Sequence, residues 1–201
     1  MKMFKIEKFF TNNLQSKKRA FALTQKLLGF VELKGKQDFL EVGCGNGIVS
    51  KYLARNYGSN IVGIDVDPEQ IELARKDTSD MPNIRFLEAD ATSLPFEDNS
   101  FDIVLSFGVL HHIYSWLDAL KEIERVLRDK GYFVYADIIY PGWVTKLDKS
   151  SKYSFGLVTV GLEELNSFIK QNGFTTIHYE LTKRLICRNY EAVYRRNYDE
   201  I

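Results

Sequence analysis

The stretch Phe39-Leu-Glu-Val-Gly43-Cys-Gly45-Asn-Gly47 constrains this chain more than any other. Phe39 to Val42 reads as a short buried strand, and three glycines follow at alternate positions. Ile48 to Tyr57 then reads as a helix with Ile48, Tyr52 and Leu53 on one side. A strand that runs through Gly-x-Gly-x-Gly into a helix needs a tight turn. Without Cβ atoms the backbone takes positive φ there, and a ligand can approach the main chain. The helix N-terminus offers N–H groups and a partial positive charge, which suits the carboxylate or phosphate end of a nucleotide-like ligand. The glycine run alone also fits a tight turn that binds nothing.

Asp65 narrows the reading. It ends the next apolar strand, Asn60-Ile-Val-Gly-Ile-Asp65, and stands 18 positions after Gly47. That is close to the spacing at which dinucleotide folds place a ribose-binding acid. Position 48 is Ile, so the third glycine of G-x-G-x-x-G is missing. The nicotinamide fingerprint is therefore imperfect, and a different adenosyl ligand becomes the better expectation.

Composition sets outer bounds. The 201 residues, 45% hydrophobic, suit one domain with a substantial core. A formal net charge of zero gives no global field for nucleic acid or an anionic membrane. No apolar run approaches the roughly 20 residues that span a bilayer, and the N-terminus does not read as a secretory signal. Cys44 and Cys187 lack metal spacing. Both read as free thiols, no metal is expected, and a reducing cytoplasm is the expected location.

From Asp38 the pattern alternates. Asp67-Pro-Glu-Gln70 opens a helix with Asp67 as N-cap, Pro68 at N1 and Gln70 in a capping box. Ile84–Glu88 and Phe101–Phe107 read as the third and fourth strands. Ser115 caps a helix with Trp116, Leu120, Ile123 and Leu127 on one face. Gly131 ends it in a left-handed conformation, and Tyr132–Ile139 is the fifth strand. Tyr140 to Val160 reads as an irregular, aromatic and basic insertion, Leu162 to Ile169 as a helix, and Thr175–Leu181 with Glu191–Arg196 as a hairpin. Strands separated by helices imply a parallel sheet covered on both faces. Gly43–Gly47, Asp65, Asp90 and Ser106-Phe107 all fall at strand C-termini, so four loops converge on one crevice.

These residues resemble the class I S-adenosylmethionine-dependent methyltransferases, in particular the small-molecule group that includes quinone-biosynthesis C-methyltransferases. The resemblance covers residues 38–139 closely. Glu41-Val-Gly-Cys-Gly-Asn-Gly47 is similar to the first motif and Asp65-Val-Asp-Pro to the second. Ala89-Asp-Ala-Thr-Ser-Leu-Pro-Phe96 with Ser100-Phe-Asp-Ile-Val104 resembles the third and fourth, and Val109-Leu-His-His-Ile113 the segment that follows. The resemblance implies a Rossmann-like doubly wound α/β sheet of seven strands, mostly parallel with an antiparallel last strand. It also implies S-adenosylmethionine as cofactor, S-adenosylhomocysteine as product and a small-molecule methyl acceptor as partner, on a monomer or homodimer.

Carried across by position, Gly43, Cys44, Gly45, Asn46 and Gly47 form the loop against the methionine portion, with Glu41 near its ammonium. Asp65 accepts the ribose hydroxyls, Val66 lies on the adenine face, and Asp90 with the Ala91 N–H reads the adenine edge. Ser106 and Phe107 line the methionine side. His111 is the candidate general base, with His112 and Tyr140 as rivals. Residues 1–37 are expected to form a helical lid segment, residues 38–201 the catalytic domain, and residues 140–160 a substrate-side insertion. Trp143, Tyr153 and Phe155 form either an aromatic cap over the acceptor or ordinary core. A nicotinamide-dependent oxidoreductase and a non-catalytic S-adenosylmethionine-binding protein remain as alternatives, and the basic stretch Arg184 to Arg196 keeps an RNA substrate in view.

Overall fold

The computed structural model describes residues 14–150, 158, 160–183, 185 and 187–197. In chain order the elements are α1 (Leu14–Leu28), β1 (Asp38–Val42), α2 (Ile48–Tyr57), β2 (Asn60–Asp65), α3 (Pro68–Arg75) and β3 (Ile84–Glu88). There follow β4 (Phe101–Phe107), a 3-10 turn (Leu110–His112), α4 (Trp116–Val126), β5 (Leu127–Ile139), α5 (Gly142–Ser150), α6 (Leu162–Gln171), β6 (Phe174–Lys183) and β7 (Arg188–Arg196). The seven strands form one sheet in the order β3-β2-β1-β4-β5-β7-β6. The β1 to β5 pairings are parallel, and β7 runs antiparallel to β5 and to β6. The expected mixed sheet with a reversed last strand is therefore present.

Register fixes where the strands stop. Val42 pairs with Ile64 and with Ser106, and Ser106 pairs with Tyr135. The carboxyl ends of β1, β2 and β4 thus lie level, β5 runs on to Ile139, three residues past Ala136, the partner of Phe107, and strand order reverses between β1 and β4, where sheets of this kind bind their ligands. Helices cover both faces. Trp116, Leu120 and Ile123 of α4 and Leu165 and Ile169 of α6 pack with Leu40, Val104 and Phe133 on one side. Leu27, Leu28 and Val31 pack with Leu53, Ile61 and Leu105 on the other. Most of these side chains are at or near full burial, each contributing about 1.5–3 kcal/mol of transfer free energy.

Several local expectations need correction. Asp67 is the N-cap of α3, its Oδ1 accepting from the Glu69 N–H at 3.0 Å. Gln70 does not complete a capping box, because the Asp67 N–H donates to Asp65 Oδ1 and the Gln70 amide is buried. Ser115 stands at the N-cap of α4 without a capping side-chain bond. The buried side of α2 is Val49, Ser50, Leu53 and Ala54, while Ile48 and Tyr52 are half-buried. Gly131 is not left-handed; Lys130 takes φ 61° instead. A Cβ at Gly131 would stand 2.8 Å from the Arg128 carbonyl oxygen and 2.9 Å from that of Asp102, so glycine is required by close backbone approach. Residues 142–150 form helix α5 where the sequence suggested irregular chain. Tyr153 and Phe155 lie outside the described residues.

Candidate functional site

The loop from β1 to α2 turns through positive φ at Gly43, Gly45 and Gly47. Two independent constraints keep side chains out. A Cβ on Gly43 would run into Val109, and one on Gly47 into the Phe86 ring. Gly45 is open by comparison, with only the Gln70 Oε1 within 3.7 Å of such a Cβ. The loop is tied to β2 by the Cys44 N–H, which donates to the Ile64 carbonyl at 2.8 Å. The Cys44 thiol is buried, and burial pushes its pKa well above the ordinary thiol value, so it is an inert packing group rather than a nucleophile.

Asp65 organises the far side of this loop. Its Oδ2 accepts the Gly45 N–H and its Oδ1 the Asp67 N–H, both at 2.9 Å. The Val66 N–H also bonds this carboxylate, so part of its acceptor capacity is left for a further donor. Burial raises the Asp65 pKa above the ordinary range, with the Asp67 charge adding to it, against the backbone N–H donors.

Beneath the loop, Glu41 is buried and accepts from the hydroxyl and backbone N–H of Ser50, in the first turn of α2. Burial, with the negative charge of Asp65 nearby, pushes its pKa up to about 8. Among the described residues, neither Glu41 nor Asp65 forms an ion pair with a basic side chain. A carboxyl group thus sits at the helix N-terminus that would otherwise receive an anion. A dinucleotide pyrophosphate would meet two acids here. A ligand with an ammonium for Glu41 and hydroxyls for Asp65 would instead suit both.

The loop after β3 is held in place from α4. Arg125 donates to the carbonyls of Leu94 (3.0 Å) and Phe96 (2.7 Å), and pairs with Glu122 and Asp98. Glu122 in turn accepts the Leu94 N–H at 2.7 Å. At the start of this loop, Asp90 Oδ1 accepts the N–H and hydroxyl of Thr92, both at 2.8 Å, which lowers the Asp90 pKa. Ala91 is buried, whereas Val66 is 44% exposed and offers an accessible apolar face beside Asp65.

The β4 and β5 ends complete the crevice. Ser106 is fully buried, and its Oγ has no hydrogen-bond partner among the described residues. Phe107 is half-buried and packs on the core beneath α1 and α2. His111, in the 3-10 turn, is buried, and its Nδ1 meets Oδ1 of Asp137 on β5. The Asp137 Oδ2 accepts the His111 backbone N–H and the Tyr135 hydroxyl, each at 3.3 Å. The rings of His112 and Tyr140 lie 3.9 and 5.7 Å from that of His111, centroid to centroid. The Val158 N–H donates to the His111 carbonyl at 2.8 Å, so the chain beyond α5 returns over this pair.

The structure brings Glu41, the glycine loop, Asp65, Ser106 and the His111 turn to one end of the sheet. Sequence reasoning missed Ser50, Val109, Arg125 and Asp137. Asp137 had a signal available, because an acid near the end of the strand after a histidine turn falls beside it when the two strands are parallel neighbours.

Residues 40–135 match the family described as a methyltransferase domain. This segment is a methyltransferase domain of the class I S-adenosylmethionine-dependent kind. The chain is 35% identical over 136 residues to a probable phthiotriol/phenolphthiotriol dimycocerosates methyltransferase 2 of Mycobacterium ulcerans, covering 67% of this chain and 50% of that protein. It is 39% identical over 108 residues to a fatty-acid O-methyltransferase of Mycolicibacterium smegmatis, covering 53% of this chain and 38% of that protein. The chain therefore spans half or less of the length of these relatives. Its fold is similar to that of a putative sarcosine dimethylglycine methyltransferase from Galdieria sulphuraria, with TM-score 0.78 and 16% identity over 90% of this chain and 86% of that one. The cofactor of the family is S-adenosylmethionine, and Glu41, without a basic partner among the described residues, suits its ammonium.

Proposed function

We propose that this chain transfers a methyl group from S-adenosylmethionine to a small, predominantly apolar acceptor. The observation that carries the reading is the placement of buried Glu41 and half-buried Asp65, neither with a basic partner among the described residues, around a left-handed glycine loop. The names of the two relatives, one acting on dimycocerosates and one on fatty acids, support an acceptor with a long apolar portion.

In this reading Gly43, Cys44, Gly45, Asn46 and Gly47 follow the methionine portion with their backbone, and Glu41 answers the ammonium once it has lost its proton. Asp65 uses its remaining lone pairs for the ribose hydroxyls, Val66 lies on the adenine face, and Asp90 and the Ala91 N–H take its polar edge. Ser106 and Phe107 border the methionine side. The cofactor supplies an electrophilic methyl group. His111 takes the proton from the attacking acceptor group at Nε2, while Asp137 holds Nδ1 as the protonated nitrogen. Residues 1–37 act as the lid: Phe21 of α1 stacks on Tyr52 of α2 at 4.7 Å, which links that segment to the helix leaving the glycine loop. Residues 140–160, of which Val158 bonds to the His111 carbonyl, select the acceptor. The chain works in the cytoplasm with both thiols reduced.

Calorimetry with S-adenosylmethionine, S-adenosylhomocysteine and NAD tests the cofactor. Micromolar binding of the first two and none of NAD is expected, and NAD binding alone would overturn the reading. Label transfer from the methyl-labelled cofactor to a fatty-acid or extracted-lipid acceptor then tests turnover. Cofactor binding with no transfer to any acceptor would make this a non-catalytic binding protein.

A further inference from the structure

Among the described residues, five large apolar side chains are more than half exposed: Tyr114 (82%), Trp143 (56%), Leu147 (60%), Tyr179 (66%) and Leu185 (100%). Four of them stand at one end of the molecule. Tyr114 follows the 3-10 turn that carries His111. Trp143 and Leu147 belong to α5, which starts three residues after β5 ends. Leu185 lies in the β6–β7 hairpin, whose strands turn at Lys183 and Arg188, and Arg188 pairs in register with Ile139, the last residue of β5. The antiparallel run of β7 therefore brings the hairpin tip to the carboxyl end of the sheet, the end where the site opens. Only Tyr179, on the edge strand β6, stands apart.

Basic residues lie at the same end: Lys146 on α5, with Lys183 and Arg188 where the β6–β7 hairpin turns. Lys146, Lys183 and Arg188 are exposed. In α5, Trp143 and Leu147 are spaced i, i+4 and so share a face, with Lys146 beside it. A short helix with tryptophan and leucine on one face, and a lysine beside them to reach the headgroup level, suits the boundary between lipid and water. No helix among the described residues is long and apolar enough to cross a membrane, so such a contact would lie on the surface.

We propose that the carboxyl end of the sheet, built from Tyr114, Trp143, Leu147 and Leu185 with Lys146, Lys183 and Arg188, docks on an anionic lipid surface. The acceptor then enters from that surface. This deepens the function proposed above, and the acceptor class rests on that reading. Three occupants compete for such a face. A second copy of the chain would set Lys146, Lys183 and Arg188 against the same three bases, which repels. A single-stranded nucleic acid would use the bases and the aromatic rings, but it has no use for two exposed leucines. An anionic lipid surface uses both halves of the patch: basic residues meet the headgroups, and leucine and tryptophan enter the layer beneath.

Flotation of the full chain with phosphatidylcholine vesicles, with and without phosphatidylglycerol, tests this. The chain should float with the anionic vesicles and partition roughly tenfold more weakly onto phosphatidylcholine alone. Leu185→Ser and the double variant Lys183→Glu/Arg188→Glu should each lose roughly tenfold on the anionic vesicles. Both lie outside the cofactor crevice, so unchanged calorimetric binding of S-adenosylhomocysteine shows that they fold. Four outcomes would overturn the proposal: no flotation, equal flotation on neutral vesicles, variants that float like wild type, or tighter capture by a single-stranded RNA oligonucleotide. Self-association in light scattering that Leu185→Ser abolishes would overturn it as well. Vesicle binding with no binding of S-adenosylhomocysteine would count against the cofactor reading alone.

Discussion

Asp137 holds His111 twice: its Oδ2 accepts the backbone N–H at 3.3 Å, and its Oδ1 meets Nδ1 of the ring. The two residues are 26 positions apart, His111 in the 3-10 turn after β4 and Asp137 on the neighbouring parallel strand β5. A carboxylate at Nδ1 fixes the proton there and leaves Nε2 as the basic nitrogen. Asp137 also accepts the Ile138 N–H at 2.7 Å and the Tyr135 hydroxyl, so its own position is fixed.

The first prediction follows from that arrangement. His111→Ala should lower kcat for methyl transfer by about 10²–10⁴-fold and leave S-adenosylhomocysteine affinity nearly unchanged. Asp137→Asn should produce most of the same loss, because its amide can donate to Nδ1 and reverse the tautomer. It should also lower stability by about 1–3 kcal/mol, since buried donors lose their acceptor. The double variant should be no worse than His111→Ala, because the two residues act as one unit. Label-transfer kinetics and denaturant unfolding check both parts. A kcat untouched by either substitution would remove the general base from the mechanism.

What the sequence made legible here, and what it did not, has a physical basis. Gly43, Gly45, Gly47 and Asp65 could be read because a left-handed turn and a strand-end acid leave local signatures within a few residues. The places of β1 to β5 along the chain could be read from hydrophobic periodicity, and their order in the sheet could not. Asp137, Ser50 and Arg125 could not, since each acts through a partner brought close only by strand pairing or helix packing. The start of β5 was misplaced for a related reason. Lys130 adopts the left-handed conformation that local preference assigns to Gly131, whose missing side chain is required by the Arg128 and Asp102 carbonyls instead.

Asp65 carries the second prediction. Asp65→Ala should weaken S-adenosylhomocysteine binding by roughly 3 kcal/mol, about two charge-assisted hydrogen bonds, or more than a hundredfold. The substitution also frees the Gly45 and Asp67 N–H groups, so the glycine loop should exchange its amide hydrogens faster. Calorimetry and hydrogen exchange report these effects separately.

Arg125 carries the third. It clamps the loop after β3 through the Leu94 and Phe96 carbonyls while bonded to Glu122 and Asp98. Arg125→Lys keeps the charge but lacks the planar fork that serves several acceptors at once. Both Arg125→Ala and Arg125→Lys should weaken S-adenosylhomocysteine binding several-fold, through misplacement of Asp90 and Ala91, with kcat at saturation little changed. If Arg125→Lys behaved like wild type, charge alone would hold the loop.

The fourth prediction concerns pH. Glu41 has an ordinary value near 4.5 and is raised by burial to about 8 in the folded chain. Between these values the native state holds a proton that the unfolded chain has released. The contribution of Glu41 to stability is therefore fully present below pH 4.5, falls as pH rises, and is lost above about pH 8. Binding of the cofactor has the opposite slope. Its ammonium favours the ionised carboxylate, so the proton is released on binding and affinity should rise from pH 6 towards the raised value near 8. Glu41→Gln removes the titrating group and should flatten both curves. Melting temperatures of the free chain across pH, and calorimetry in buffers of different ionisation enthalpy, measure the two slopes. A wild-type affinity independent of pH over this range would place the ammonium away from Glu41.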